Sequence, residues 1–135
     1  MIGIDTNILL RAALDDDASQ SPRARAVLSA LTAEEPGVIN SVTLAEFVWT
    51  LRRGHGYERG EILDAVRSML RSSAYVFVDR RAVLAAVSRC QAESLGFADA
   101  LIGEINRAAG CAVTLTFDGK AGKTDLFRFA DAKEP

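Results

Sequence analysis

The sequence contains a single histidine, His55, set between Gly54 and Gly56. Imidazole-based acid–base catalysis, including a Ser-His-Asp triad, therefore has no support, and His55 reads as a loop residue. Cysteine is almost as scarce. Cys90 and Cys111 have no second cysteine or histidine at metal-ligand spacing. That excludes a disulfide framework and a zinc site, and both are expected to be reduced core thiols. No stretch approaches the roughly 20 apolar residues of a membrane span. The first apolar run begins at Met1 with no leader ahead of it, so the expected compartment is the cytoplasm. A basic excess is missing as well. The net charge of −2 does not mark a duplex-binding surface, so a polyanionic substrate would need local cations to reverse the field.

What is present fits one globular domain. The 135 residues, 49% hydrophobic and 25% charged, suffice to bury a core without staples, and no repeat, low-complexity tract or linker divides them. A single domain over 1–135 is expected.

The elements alternate. Met1-Ile-Gly-Ile4 reads as a short buried strand, and Asp5-Thr6-Asn7 offers cap side chains for a helix from about Ile8 to Leu14. Asp15, Asp16 and Asp17 have the wrong sign for a helix C-terminus and predict a solvated turn. Ser21-Pro22 opens a helix to about Leu31. Val38 and Ile39 suggest a strand, and Ser41 or Thr43 then caps a helix to about Arg53 on the stripe Leu44, Phe47, Val48 and Leu51. A helix over Arg59 to Leu70, a strand Tyr75 to Val78 and a helix Ala82 to Glu93 follow. Beyond Gly96 come a helix from Phe97 to about Ala109, a strand Cys111 to Phe117 and an edge strand within Leu126 to Phe129. Continuous apolar strands between helices indicate an α/β sandwich, with a mostly parallel sheet covered on both faces.

Ligands of open α/β sheets bind beyond the carboxyl ends of the strands. Asp5 and Asp118 each follow a strand there, Asp99 lies in the first turn of its helix, and Glu46 lies in or just beyond the first turn of another. Carboxylates gathered on one rim are tolerated when a hard cation such as Mg²⁺ or Mn²⁺ neutralises them. Each acid also has a purely structural reading. Asp5 is a helix cap, Asp99 a dipole-favoured first-turn acid, Asp118-Gly119 a turn, and Glu46 sits opposite the apolar stripe where solvated residues belong. Gly122-Lys123-Thr124 imitates the end of a P-loop but lacks its first glycine, since Phe117 occupies that place.

Four blocks occur in order: Ile4-Asp5-Thr6-Asn7-Ile8-Leu9, Ser41-Val-Thr-Leu-Ala-Glu46, Phe97-Ala-Asp99-Ala-Leu-Ile102 and Thr116-Phe-Asp118. Together they resemble the PIN-domain ribonucleases, in particular the VapC-type toxins of bacterial toxin–antitoxin pairs, from Met1 to about Lys123. The resemblance implies a PIN-like three-layer sandwich with four to five strands. It also implies an acidic quartet of Asp5, Glu46, Asp99 and Asp118 binding Mg²⁺ or Mn²⁺, with Thr6, Asn7 and Thr116 as polar supports. Many relatives carry a further acid where this chain has Gly96, which leaves the quartet intact without a fifth carboxylate. The implied activity is endoribonucleolytic hydrolysis by metal-activated water, leaving a 5′-phosphate and a 3′-hydroxyl. Single-stranded loops are the expected RNA target.

Arg11, Lys120 and Lys123 flank the rim as candidate phosphate contacts. Implied partners are a cognate antitoxin and a second copy of the chain. Trp49 and Phe47 are the candidate apolar groove for an antitoxin segment, against the local alternative of core burial. Two rivals remain open: a catalytically silent PIN-like binding module, and a phosphoryl-transfer enzyme with Asp5 as nucleophile. The second lacks the expected aspartate two residues on, where Asn7 stands.

Overall fold

The structure, a computed structural model, describes residues 1–131. The chain forms two compact units, Met1–Arg80 and Arg81–Pro135. Both units mix helices with strands, and among the described residues every strand pair is parallel, as expected of apolar runs between helices. The five strands pair as one group of three and one group of two.

In the first unit, β1 (Ile2–Gly3), β2 (Gly37–Ile39) and β3 (Tyr75–Phe77) form a parallel sheet in that order. The register pairs Gly3 with Val38 and Val38 with Val76. Between the strands lie α1 (Thr6–Leu14), α2 (Gln20–Ser29), α3 (Ser41–Trp49) and α4 (Arg59–Arg71). Ile4, Leu9, Ile39, Leu44, Phe47, Leu51, Val66 and Phe77 are buried. At Gly37 a Cβ would lie 2.8 Å from both Ile4 Cγ1 and Leu31 Cδ1, so any larger residue there would displace these core side chains. Met1 and Ile2, expected to be buried, are exposed; β1 is an edge strand of its sheet, and of the run Met1 to Ile4 only Ile4 is buried.

The acidic turn does more than end α1. Asp15 adopts the left-handed conformation and pairs with Arg25, while Asp16 pairs with Arg11. Asp17 Oδ1 accepts hydrogen bonds from the Gln20 and Ser19 N–H groups, which hold its carboxyl below the usual carboxylate range. The helix α2 begins at Gln20, one residue earlier than the Ser-Pro pair predicts. At α3 the cap is Asn40, whose Oδ1 accepts from Thr43 N at 2.9 Å, instead of Ser41 or Thr43. Ser41 Oγ is consequently buried without a partner among the described residues. The α3 helix stops at Trp49, and a π-helical turn, Thr50–Gly54, carries the chain on toward the glycines.

The second unit contains α5 (Arg80–Ala92, from its second residue), α6 (Phe97–Ala108), β4 (Thr114–Thr116) and β5 (Phe127–Phe129). β4 pairs with β5 and joins it through a 3₁₀ turn, Ala121–Lys123. The predicted strand from Cys111 to Phe117 shrinks to three residues. Gly110 takes φ 104°, and Cys111 N–H bonds back to Asn106 O, so Cys111 belongs to the helix end. Cys111 is exposed, whereas Cys90 is a core thiol as expected. Gly103 allows close packing, since a Cβ there would lie 2.9 Å from Leu126 Cδ1.

Arg89 ties this unit together through Glu104 at 3.0 Å, Glu93 at 3.1 Å and Asp125 at 2.6 Å. Asp125 also receives Arg107 at 3.1 Å. Only the Arg89–Glu93 spacing, four residues with Glu93 just past the end of α5, is visible in the sequence.

Candidate metal centre

Asp5 stands where β1 gives way to α1. Ile4 N–H still bonds to Val38 O, and Asp5 then leaves the sheet in extended conformation to cap the helix. Its Oδ1 accepts from Thr6 N at 2.9 Å. Glu46 lies on the exposed side of α3, as its helical position predicts. The wheel does not reveal its partner: Thr6 Oγ1 donates to Glu46 Oε1 at 3.0 Å. One threonine therefore holds both carboxylates, Asp5 through its backbone N–H and Glu46 through its hydroxyl. Thr6 is itself buried, which fixes the hydroxyl's direction. Leu44, Phe47 and Leu51, buried on the other side of α3 and the turn after it, fix the helix that presents Glu46.

The second unit supplies the other two acids. Asp99 is half-buried in the first turn of α6, behind the extended Gly96 cap. Burial raises its pKa, and the charge of Asp118 raises it further, so the two carboxylates sense each other. Asp118 follows β4 and is pinned on three sides. Its Oδ1 accepts from Lys120 N at 2.8 Å and Ala121 N at 3.0 Å, and its own N–H donates to Thr116 Oγ1 at 3.0 Å. The turn reading of Asp118 therefore holds. Gly122 packs closely on β5, since a Cβ there would lie 3.1 Å from Phe129 Cβ and 3.2 Å from Phe129 N.

The acids come as two pairs, Asp5 with Glu46 and Asp99 with Asp118. Among the described residues no group of three or more His, Cys, Asp and Glu side chains is assembled for a metal. Carboxylate pairs are nevertheless the donor chemistry that a hard divalent cation takes. The polar supports divide in the same way, with Thr6 serving the first pair and Thr116 the second, while Asn7 is exposed beside Thr6.

The candidate phosphate contacts differ from one another. The Arg11 guanidinium is engaged by Gln20 Oε1 and Asp16 Oδ2, both at 2.9 Å, so it fastens α1 to the start of α2. Lys120 and Lys123 are exposed on the turn after Asp118. The expected groove of Phe47 and Trp49 does not form. Two residues apart on a helix, they point to different sides, Phe47 being 3% and Trp49 63% exposed.

A family model, the PIN domain, matches residues 2–126. The chain belongs to the PIN-domain family. PIN domains are typically nucleases and generally use divalent metal ions. The match spans both units, so the two pairs of acids fall within one family domain. A search of curated proteins finds no match. Among the described residues no helix of this PIN domain is long and apolar enough to cross a membrane.

Proposed function

We propose that this PIN domain is a metal-dependent endoribonuclease, the toxin of a type II toxin–antitoxin pair. In this reading residues 1–135 act as one catalytic domain in the cytoplasm, paired as a homodimer and restrained by a cognate antitoxin. Asp5, Glu46, Asp99 and Asp118 are the ligands of a Mg²⁺ or Mn²⁺ site. The observation that carries the reading is Thr6, whose N–H and hydroxyl bind Asp5 and Glu46 at 2.9 and 3.0 Å. Capping of α1 by Asp5 needs only the Thr6 N–H, whereas the Thr6 hydroxyl joins α1 to a carboxylate 40 residues away in the chain.

The raised pKa of Asp99 supports the same conclusion. A half-buried carboxylate facing a second one is stabilised by a bound cation and disfavoured without it. A bound divalent ion supplies Lewis acidity and a water of lowered pKa. The chain's own residues do the rest. Thr6 keeps Glu46 Oε1 from rotating away, and the turn N–H groups hold Asp118 Oδ1. The Lys120 and Lys123 ammonium groups, exposed beyond Asp118, draw substrate phosphates toward the acids. With a single histidine in the chain, set in the loop after α3, proton transfer falls to carboxylates and water.

The test is incubation of purified protein with structured RNA in Mn²⁺ or in chelator. Metal-dependent cutting that Asp99→Asn abolishes supports the proposal, and cutting that persists in the variant shows contamination. A module that binds without cutting is the second reading, favoured by the capping bonds of Asp5 and Asp118. It predicts RNA or protein binding with no cutting under either condition.

A further inference from the structure

The indole of Trp49 is the largest apolar group on the surface of α3, 63% exposed, and Val42 on the same side is 70% exposed. At 3.6 residues per turn, Val42, Glu46 and Trp49 fall within an arc of roughly 60°, with Glu46 at one edge of the arc and between the two apolar groups along the helix axis. A large aromatic left in water beside a functional carboxylate marks a contact surface.

The charge around it says what the contact is. The chain as a whole carries −2, yet from Phe47 to Tyr57 it has no acidic residue and holds Arg52, Arg53 and His55. All three are exposed. Arg52 donates to Tyr57 O at 3.3 Å, which ties the end of the π-helical turn. Such turns are frequent at functional sites. A second copy docking through this face about a two-fold axis would set arginines against arginines. A polyanion with flat apolar groups suits both the indole and the cations.

We propose that Trp49 is a stacking platform for a base of single-stranded RNA, with Arg52 and Arg53 taking the flanking phosphates. This rests on the reading of Glu46 as part of the nuclease site. It makes Trp49 a substrate-positioning residue that seats the strand one helical turn from that carboxylate.

Trp49 is the only tryptophan of the chain, so indole emission of the full-length protein reads this position directly. The protein is titrated in chelator with an oligouridylate of about ten nucleotides and with an abasic strand of equal length, binding being followed by anisotropy of an end label. The base-containing strand quenches Trp49, binding weakens with salt, and the abasic strand binds about ten-fold more weakly without quenching. Trp49→Ala weakens oligouridylate binding about ten-fold, and Trp49→Phe, which keeps an aromatic face, by less than about three-fold.

The proposal is overturned if the strand fails to bind, if it binds while emission is unmoved, or if Trp49→Ala binds as tightly as the parent. Emission that ignores RNA but follows protein concentration, or an added acidic peptide, makes the face a protein-docking surface and overturns it too. Cutting in Mn²⁺ is scored separately. Quenching without cutting removes the nuclease reading and leaves the platform, while cutting without quenching does the reverse.

Discussion

Replacing Thr6 by valine keeps the side-chain shape and removes the hydroxyl that holds Glu46 Oε1 at 3.0 Å. The backbone N–H that binds Asp5 is untouched, so Thr6→Val releases one carboxylate and leaves the other in place. The lost bond has a charged acceptor, an interaction worth about 1.5–3 kcal/mol when shielded from water. Glu46 is exposed and is rehydrated when released, which lowers the cost to about 1 kcal/mol. The melting temperature should therefore fall by only about 2–6 °C. The catalytic effect should be larger, because a residue that orients a metal ligand affects metal affinity by about 10–100-fold. The assay is RNA cleavage as a function of Mn²⁺ concentration, with melting measured on the same samples. The half-saturating Mn²⁺ concentration should rise about ten-fold, and Thr6→Ser should restore it. An unchanged Mn²⁺ dependence with a lowered melting temperature would refute the argument, since Thr6 would then be holding the fold and not the site.

Three further outcomes follow from the same geometry. Arg89→Met should destabilise the protein by about 2–3 kcal/mol in urea unfolding, because Glu104, with a side chain 12% exposed, loses its cation inside the unit. Asp99→Asn should melt higher than the parent in chelator at neutral pH. The folded pKa of Asp99 is raised, first by burial and then by Asp118, so its ionised form costs stability once pH exceeds the usual carboxylate range, and asparagine has no such cost. The opposite sign holds at Asp125, whose pKa Arg89 and Arg107 lower. Its contribution to stability is present above the usual carboxylate range and is lost as pH falls through the depressed folded value, so Asp125→Asn should flatten that part of the acid-unfolding profile.

The α/β alternation and the helices were legible in the sequence because caps and apolar periodicity act over one or two turns. The strands were legible as existing but not in extent. An apolar run such as Cys111 to Phe117 does not show that its first residue closes the preceding helix and its last is left outside the strand. Phe117 is 83% exposed and meets Phe129 edge-to-face at 6.2 Å. Cap choice among neighbours was equally hidden, because Asn40, Ser41 and Thr43 can all accept a backbone N–H and the backbone path decides. At the site, the local roles of Asp5 and Asp118 could be read from their own dipeptides. The role of Glu46 could not, because its partner Thr6 is 40 residues away in the chain and its helical position points to solvent. Trp49 was ambiguous for the same reason: an aromatic beside an apolar stripe belongs to the core or to the surface according to which side the neighbours bury.

We propose that Asp5, Glu46, Asp99 and Asp118 bind one divalent ion. Mn²⁺ binding, followed by the free-ion electron paramagnetic resonance signal, tests it on the parent and on Asp5→Asn, Glu46→Gln, Asp99→Asn and Asp118→Asn. Substitution in either pair should weaken binding at a common site by about ten-fold or more. Loss confined to one pair, with the other free to change without effect, would contradict it.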